Sequence, residues 1–356
     1  MSSSLRQPIT APALGPPNVR ACVAADSSRW NAFVHGHPEG TFFHLAEWQQ
    51  VLHEAFGHRA HYLLAERAGE VVGVLPIALV SSALFGRALI STPFCVYGGI
   101  LSSDAQTHRS LTEAACALAQ RLKVDYMELR NRSRQHPQWP AKDLYVTFRK
   151  QIAAEPEQNM LAIPRKQRAM VRKGIQKGLQ PRIDADTADH YALYSESLRN
   201  LGTPVFSRKY LDVLRRVFGD ACEILTVMHE GAPVASVLSF YFRDEVLPYY
   251  GGGGAAARPV AANDFMYWEV MERARRRGLR VFDYGRSKRG TGAFDFKVHW
   301  GFEPEPLHYE YYLVRAASMP NLSPTNPKYS RVIGLWQRLP LRLTQFLGPY
   351  VARYLG

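Results

Sequence analysis

Cysteine is scarce in this chain. Its four residues, Cys22, Cys95, Cys116 and Cys222, lie far apart in 356 positions, with no C-x-x-C pair and no histidine at metal-ligand spacing. That pattern excludes a disulfide framework and a structural zinc, and predicts reduced thiols in a cytoplasmic protein. Long apolar runs are also missing: the most hydrophobic stretch, Val71 to Phe85, is too short to span a bilayer and is broken by Pro76. The N-terminus lacks the apolar core of a secretory signal, and its prolines and small polar residues read as a disordered lead-in over 1–18. There is no P-loop, and the run Gly251 to Gly254 has no Lys-Ser/Thr pair behind it. Those glycines instead suit a close approach of a ligand or another chain to the strand. Ser236 lacks the flanking glycines of a nucleophile elbow. His53, His58 and His61 have no matching carboxylate or cysteine pattern. No metal or other cofactor is therefore expected.

Acid is in deficit as well. Forty-four Lys and Arg stand against 31 Asp and Glu, a formal charge of +13 that favours anionic partners: nucleic acid, phosphorylated substrates or an anionic membrane face. What is present in quantity is core-forming material, 46% hydrophobic and 12% aromatic, in a chain long enough for two domains.

The chain is written twice. In the first half "HYLLAERAGEVVGVLPIALV" reads as strand, turn at Ala68 and Gly69, strand; "VYGGIL", a helix from about Thr107 to Leu122 and the strand "DYMELRN" follow. In the second half "EILTVMHEGAPVASVLSFYF" repeats strand, turn at Glu230 and Gly231, strand; "PYYGGGG", a helix from Asp264 to Arg277 and "VFDYGRS" follow. Tyr97-Gly98-Gly99 and Tyr250-Gly251-Gly252 fall at the same point of the pattern. Asn263 or Asp264 is the expected cap of the second helix, Gly278 its stop. Between the copies, Arg165, Lys166, Arg168, Arg172, Lys173 and Lys177 are six cations in thirteen positions, with no acid from Gln158 through Arg182. At 100° per residue Arg165, Arg168 and Arg172 form one stripe, with Lys166, Lys173 and Lys177 beside it. A solvated interdomain helix and a binding face for phosphate or RNA both fit.

Near the end stands "GAFDFKVHWGF", Gly292 to Phe302, where Lys297 is a lone lysine among Phe294, Phe296, Trp300 and Phe302. An ammonium beside apolar rings sits in a low effective dielectric, where it stabilises an oxyanion or a phosphate more strongly than in water. Were the segment a strand, Asp295, Lys297 and His299 would instead share a wet face.

The repeated unit resembles the core of the acetyltransferase (GNAT) fold, and two such units joined by a basic helix resemble the FemAB family of aminoacyltransferases. The resemblance runs from about residue 20 to residue 315. It is carried by "TFFHLAEWQQVL" with Trp48, by "RKQRAMVRKGIQKGL", by "PYYGGGG" and by "FDYGRSKRGTGAFDFKVHWGF". The family's Phe-Lys-x-x-aromatic-Gly motif falls on Phe296, Lys297, Trp300 and Gly301. More narrowly, the chain is similar to FemAB-related proteins associated with exosortase/PEP-CTERM and exopolysaccharide loci of Gram-negative bacteria.

The implied fold is α/β, two tandem GNAT-like domains with mixed sheets flanked by helices: 19–160, a basic linking helix at 161–181, 182–318, and a basic tail at 319–356. The implied activity is transfer of an aminoacyl or acyl group to an amine of a cell-envelope, peptidoglycan or exopolysaccharide precursor, without a covalent intermediate. Lys297 is the implied catalytic residue. Trp48, Tyr250, Asp283, Tyr284, Arg286, Phe296 and Trp300 would contact substrate, and Arg165, Lys166, Arg168, Arg172 and Lys173 the RNA or phosphate of the donor. Asp283 and Asp295 are candidate bases by nearness in sequence alone. Aminoacyl-tRNA or another acyl donor is the expected partner of a monomeric protein. An RNA- or polyanion-binding adaptor and an acyl-CoA or acyl-carrier-dependent N-acetyltransferase are the alternatives.

Two features depart from the family. Leu52 stands four after Trp48, where members handling nucleotide-linked muropeptides often carry a basic residue. The loop "AAARPVAAND" lacks the Q/R-x-x-G-x-G/A pattern that holds coenzyme A pyrophosphate. The tail, "RVIGLWQRLPLRLTQFLGPYVARYLG", is amphipathic and acid-free. It suits either the inner face of the cytoplasmic membrane or packing over the second domain, and Pro340 and Pro349 are expected to keep it from forming one helix.

Overall fold

The structure, a computed structural model, describes residues 15–82, 86–320 and 327–354, without the side chains of 327–331. Each half is organised by the same βαβ step. In the first, the strand Gly86–Ser91 leads by way of the helix Ala105–Arg121 to the parallel strand Tyr126–Asn131. In the second, Glu245–Gly253 leads by way of the helix Ala262–Arg276 to the parallel strand Val281–Asp283. The hairpins before these steps are set by their turns. Ala68 and Gly69, and likewise Glu230 and Gly231, all have positive φ, the backbone that lets two-residue turns follow the strand twist.

The two halves then exchange a strand. Tyr145–Gln151 leaves the first half and lies antiparallel to Val281–Asp283, pairing Arg149 with Asp283. His308–Leu313 returns from the second half and lies antiparallel to Tyr126–Asn131. A division of the chain near residue 160 is thus not a division between sheets. Each half leaves the outer edge of its last parallel strand to a segment of the other half, and hydrophobic alternation within a strand carries no mark of its partner.

The sheets differ in kind. The second half builds one long sheet, whereas the first splits in two at Pro76, which separates Glu70–Leu75 in one sheet from Ile77–Ser82 in the other. Proline cannot donate to a ladder, so this is where the chain changes sheets. The first Tyr-Gly-Gly segment is irregular too. Thr92, Phe94 and Gly98 have positive φ, and only Leu101–Ser102 is strand, whereas its counterpart is paired as far as Gly253. A Cβ at Gly252 would sit 3.0 Å from the Tyr194 backbone, so this glycine admits the close approach of the helix Ala188–Leu201.

One core cluster spans both halves: Phe42, Phe43 and Trp48 of the first pack on Phe218 and Phe240 of the second. The tail is two helices, Pro327–Arg338 and Leu341–Ala352. Pro340 separates them as expected. Pro349 lies inside the second helix rather than ending it.

Candidate functional site

The segment around Lys297 is a helix, Gly292–His299, not a strand. Thr291 caps it, its Oγ1 accepting from the Phe294 N–H, and Gly301, at φ +77°, ends it against Pro164. Helical spacing turns Asp295 and His299 to solvent and leaves Lys297 as the one buried residue of the helix, 9% exposed. The acid and the histidine therefore do not share its face, and Asp295 is no candidate base.

Lys297 Nζ donates to three backbone carbonyls, those of Tyr284 (2.7 Å), Gly285 (3.1 Å) and Arg286 (3.2 Å). The rings of Phe148 and Tyr284 lie 5.4 and 5.6 Å away. Three carbonyl acceptors match the three protons of an ammonium. Burial opposes the charge and pulls the group down to about 7; Asp283 pushes it back up, and Arg286 lowers it further. The result is a lysine clamped over a turn and titrating near neutrality.

That turn hangs from Asp283, which is fully buried. Asp283 Oδ1 accepts from the Gly285 N–H (2.7 Å) and Thr147 Oγ1 (3.3 Å); Oδ2 accepts from Tyr97 Oη (2.9 Å) and Arg149 Nη1 (2.7 Å). Four donors engage its two oxygens, so the geometry gives it the role of a hub. It joins the first half, through Tyr97, to the exchanged strand and to the lysine's turn. Arg286, solvent-exposed at the end of the turn, stacks over Tyr145 (4.7 Å) and Tyr309 (5.6 Å).

Tyr97 also lines an open groove of the first half, together with Arg130, Asn131, Arg132 and Gln135. The groove continues past Ile100 to Asp104, His108 and Arg109. Arg132, exposed, lies 5.6 Å over the Tyr97 ring. Lys297 does not line this groove; Tyr97 and Asp283 connect the two.

The structure draws only some of the expected residues together. Lys297, Asp283, Tyr284 and Arg286 form one cluster, with Phe296 on the lysine's helix and Trp300 at that helix's C-terminal cap. Trp300 is wholly buried and donates from Nε1 to Asp264 (2.9 Å), which also accepts from Gln167 (3.0 Å). Asp264 is thus not the helix cap; it lies inside the helix Ala262–Arg276 and ties it to the basic helix and the lysine helix. Tyr250 sits in the shared core with its hydroxyl against that of Tyr210 (2.9 Å). Its neighbour Tyr249 is the one facing the site: a Cβ at Gly285 would lie 4.0 Å from its ring, and its hydroxyl donates to the Phe94 carbonyl. Trp48 is wholly buried, its N–H donated to the Phe42 carbonyl, and it packs rather than faces a cleft.

The basic helix runs Arg165–Gln176 and buries Val171 and Gly174, the latter against Phe265. Arg165, Lys166 and Arg172 are exposed, Arg168 and Lys173 half-buried. Sequence reasoning passed over Tyr97, Thr147, Arg149 and Tyr249. The one available signal was the repeated Tyr-Gly-Gly, which marked Tyr97 as a duplicate but not as a contact across the halves.

Residues 165–298 match the acetyltransferase (GNAT) domain family. The match begins at the first residue of the basic helix and ends one past Lys297. No curated protein sequence matches the chain. Among solved structures it is similar to FemX, with a TM-score of 0.64 and 13% identity over 84% of this chain and 98% of that one. It is also similar to the C-terminal domain of a putative lysylphosphatidylglycerol synthetase from Agrobacterium fabrum, at 0.55 and 13% over 83% and 93%. A tandem GNAT protein from the clavulanic acid biosynthesis pathway matches at 0.55 and 14% over 86% and 99%. At such identities the likeness is one of fold. The chain has the tandem GNAT fold, two α/β units with mixed sheets flanked by helices.

Proposed function

We propose that the protein transfers an aminoacyl or acyl group to an amine of a cell-envelope or exopolysaccharide precursor, as a FemAB-like transferase working on the cytoplasmic side. The observation that carries this reading is Lys297: a buried ammonium near neutrality, at the end of the acetyltransferase-like segment, on a turn hung from the contact between the two units.

In the proposed step the acceptor amine attacks the donor carbonyl. The C–N bond forms, the C–O bond to the donor's leaving group breaks, and the proton lost by the amine ends on the released oxygen. Lys297 hydrogen-bonds the oxygen that gains charge. Its contact to the Arg286 carbonyl is the longest of the three and the least buried, and is the one a substrate oxygen would replace. Water is scarce around such a group, which strengthens the interaction. Asp283 serves as positioning residue, and a neutral amine needs no protein base. The exposed cations Arg165, Lys166 and Arg172 suit the phosphates of an RNA-linked donor.

The match to the acetyltransferase family favours, as a second reading, an acyl-carrier donor. One experiment separates them. The pure protein is incubated with aminoacyl-tRNA, acyl-CoA and acyl-carrier pools and an amine acceptor, and mass spectrometry follows which is consumed. Consumption of aminoacyl-tRNA abolished by ribonuclease supports the first reading, consumption of an acyl thioester the second. RNA binding without turnover of any pool would leave an adaptor and refute both.

A further inference from the structure

The final helix is folded with its small side inward. Thr344, Gly348 and Ala352, one turn apart, are its buried residues. A Cβ at Gly348 would come within 2.9 Å of both the backbone N and O of Val205, so only glycine permits this approach. Polar ties fix the orientation. Gln345 donates to Ser195 Oγ (2.7 Å), His58 donates to the Arg353 carbonyl (2.7 Å), and the Arg353 guanidinium donates to the Phe56 carbonyl.

The opposite face is therefore held outward, and it carries the large apolar side chains. Leu343, Phe346, Leu347 and Tyr350, at helical spacing, are all exposed, Phe346 to 64% and Tyr350 to 62%. The preceding helix adds Val332 and Leu335, 60% and 63% exposed. A stripe of this kind on a docked helix marks an interaction surface. Charge selects the occupant. After Glu310 the chain contains no acid and six cations, of which Arg338 and Arg342 are exposed beside the apolar residues. A second copy would bring cations against cations, whereas an anionic bilayer supplies both the apolar interior and the opposite charge.

We infer that the outward face of the two tail helices docks on an anionic phospholipid surface. This goes beyond the transfer reading and stands without it. The test is flotation of the full chain with phosphatidylcholine vesicles containing or lacking phosphatidylglycerol. Wild type floats with the anionic vesicles. L343S/F346S/L347S, which changes only exposed residues, loses flotation, and R338Q/R342Q weakens it about thirtyfold and reduces its salt dependence. Circular dichroism and sedimentation accompany each variant. Wild type that floats with neither vesicle, or floats equally after the triple substitution, overturns the inference. So does a wild-type dimer, unable to float, that the triple variant converts to monomer, since the face would then join two copies.

Discussion

Both units bury a cation beside their parallel step, and they treat it in opposite ways. In the first, Arg130 is 2% exposed and meets a carboxylate: its Nε donates to Glu128 (2.8 Å) and its Nη1 to the Cys95 carbonyl (2.6 Å). Burial opposes the arginine's charge, but Glu128, helped by Tyr309, outweighs it and raises the group's affinity for its proton, so the pair stays charged. In the second, Lys297 has carbonyls alone, and its nearest carboxylate, Asp283, is committed elsewhere. A matched pair is a fixed structural element; an ammonium held only by dipoles remains titratable and available. The first unit's cation is thus a fixed part of the scaffold, and the second's is a group that titrates near neutrality. The family match, which covers only 165–298, falls on the second.

The sharpest way to break this contrast is to remove each cation. Arg130→Met strands a buried carboxylate and should cost about 3–5 kcal/mol in urea unfolding, whereas Lys297→Met frees carbonyls of one turn and should cost about 1–3 kcal/mol. The reverse order would mean the two cations have exchanged roles. Next comes pH. Lys297 titrates near 10.5 when unfolded and near 7 when folded. Between these values the unfolded state holds the extra proton, so stability rises with pH, by on the order of a few kcal/mol; below pH 7 both states are protonated and this slope vanishes. Urea unfolding at pH 7 and pH 9.5 should show the rise in wild type and not in Lys297→Met, while Arg130 contributes no such slope.

Tyr97→Phe tests the link between the units. It removes a hydrogen bond to a charged acceptor, an expected loss of about 1.5–3 kcal/mol, and its coupling to Lys297→Met in a double-mutant cycle should be measurable. The smallest effect belongs to the basic helix. R165Q/K166Q/R172Q should change stability by less than about 0.5 kcal/mol, yet flatten the logarithmic salt dependence of RNA binding by about 2–3 units.

Local features of this fold could be read from sequence because local chemistry sets them. The turns at Ala68-Gly69 and Glu230-Gly231 and the helices of each βαβ step belong to this class. The exchanged strands could not, because partner choice is a tertiary property that the alternation of Tyr145–Gln151 does not encode. Lys297 was legible as a lone cation among aromatics, but its helix was not. Phe294, Phe296 and Trp300 alternate in a way that strand and short helix share, and Thr291 with Gly301 decides the matter only once both ends are seen. Trp48 and Tyr250 were assigned by resemblance, and both lie in the shared core, where two units packed face to face bury what an isolated one would expose.

The most direct test of the account is transfer itself, measured in a single turnover with labelled donor and an amine acceptor, wild type against Lys297→Met, with both proteins shown to be folded by circular dichroism. Lys297→Met should lose about 10²–10³ in rate. An undiminished rate would contradict this and leave Lys297 as a clamp on the turn and nothing more.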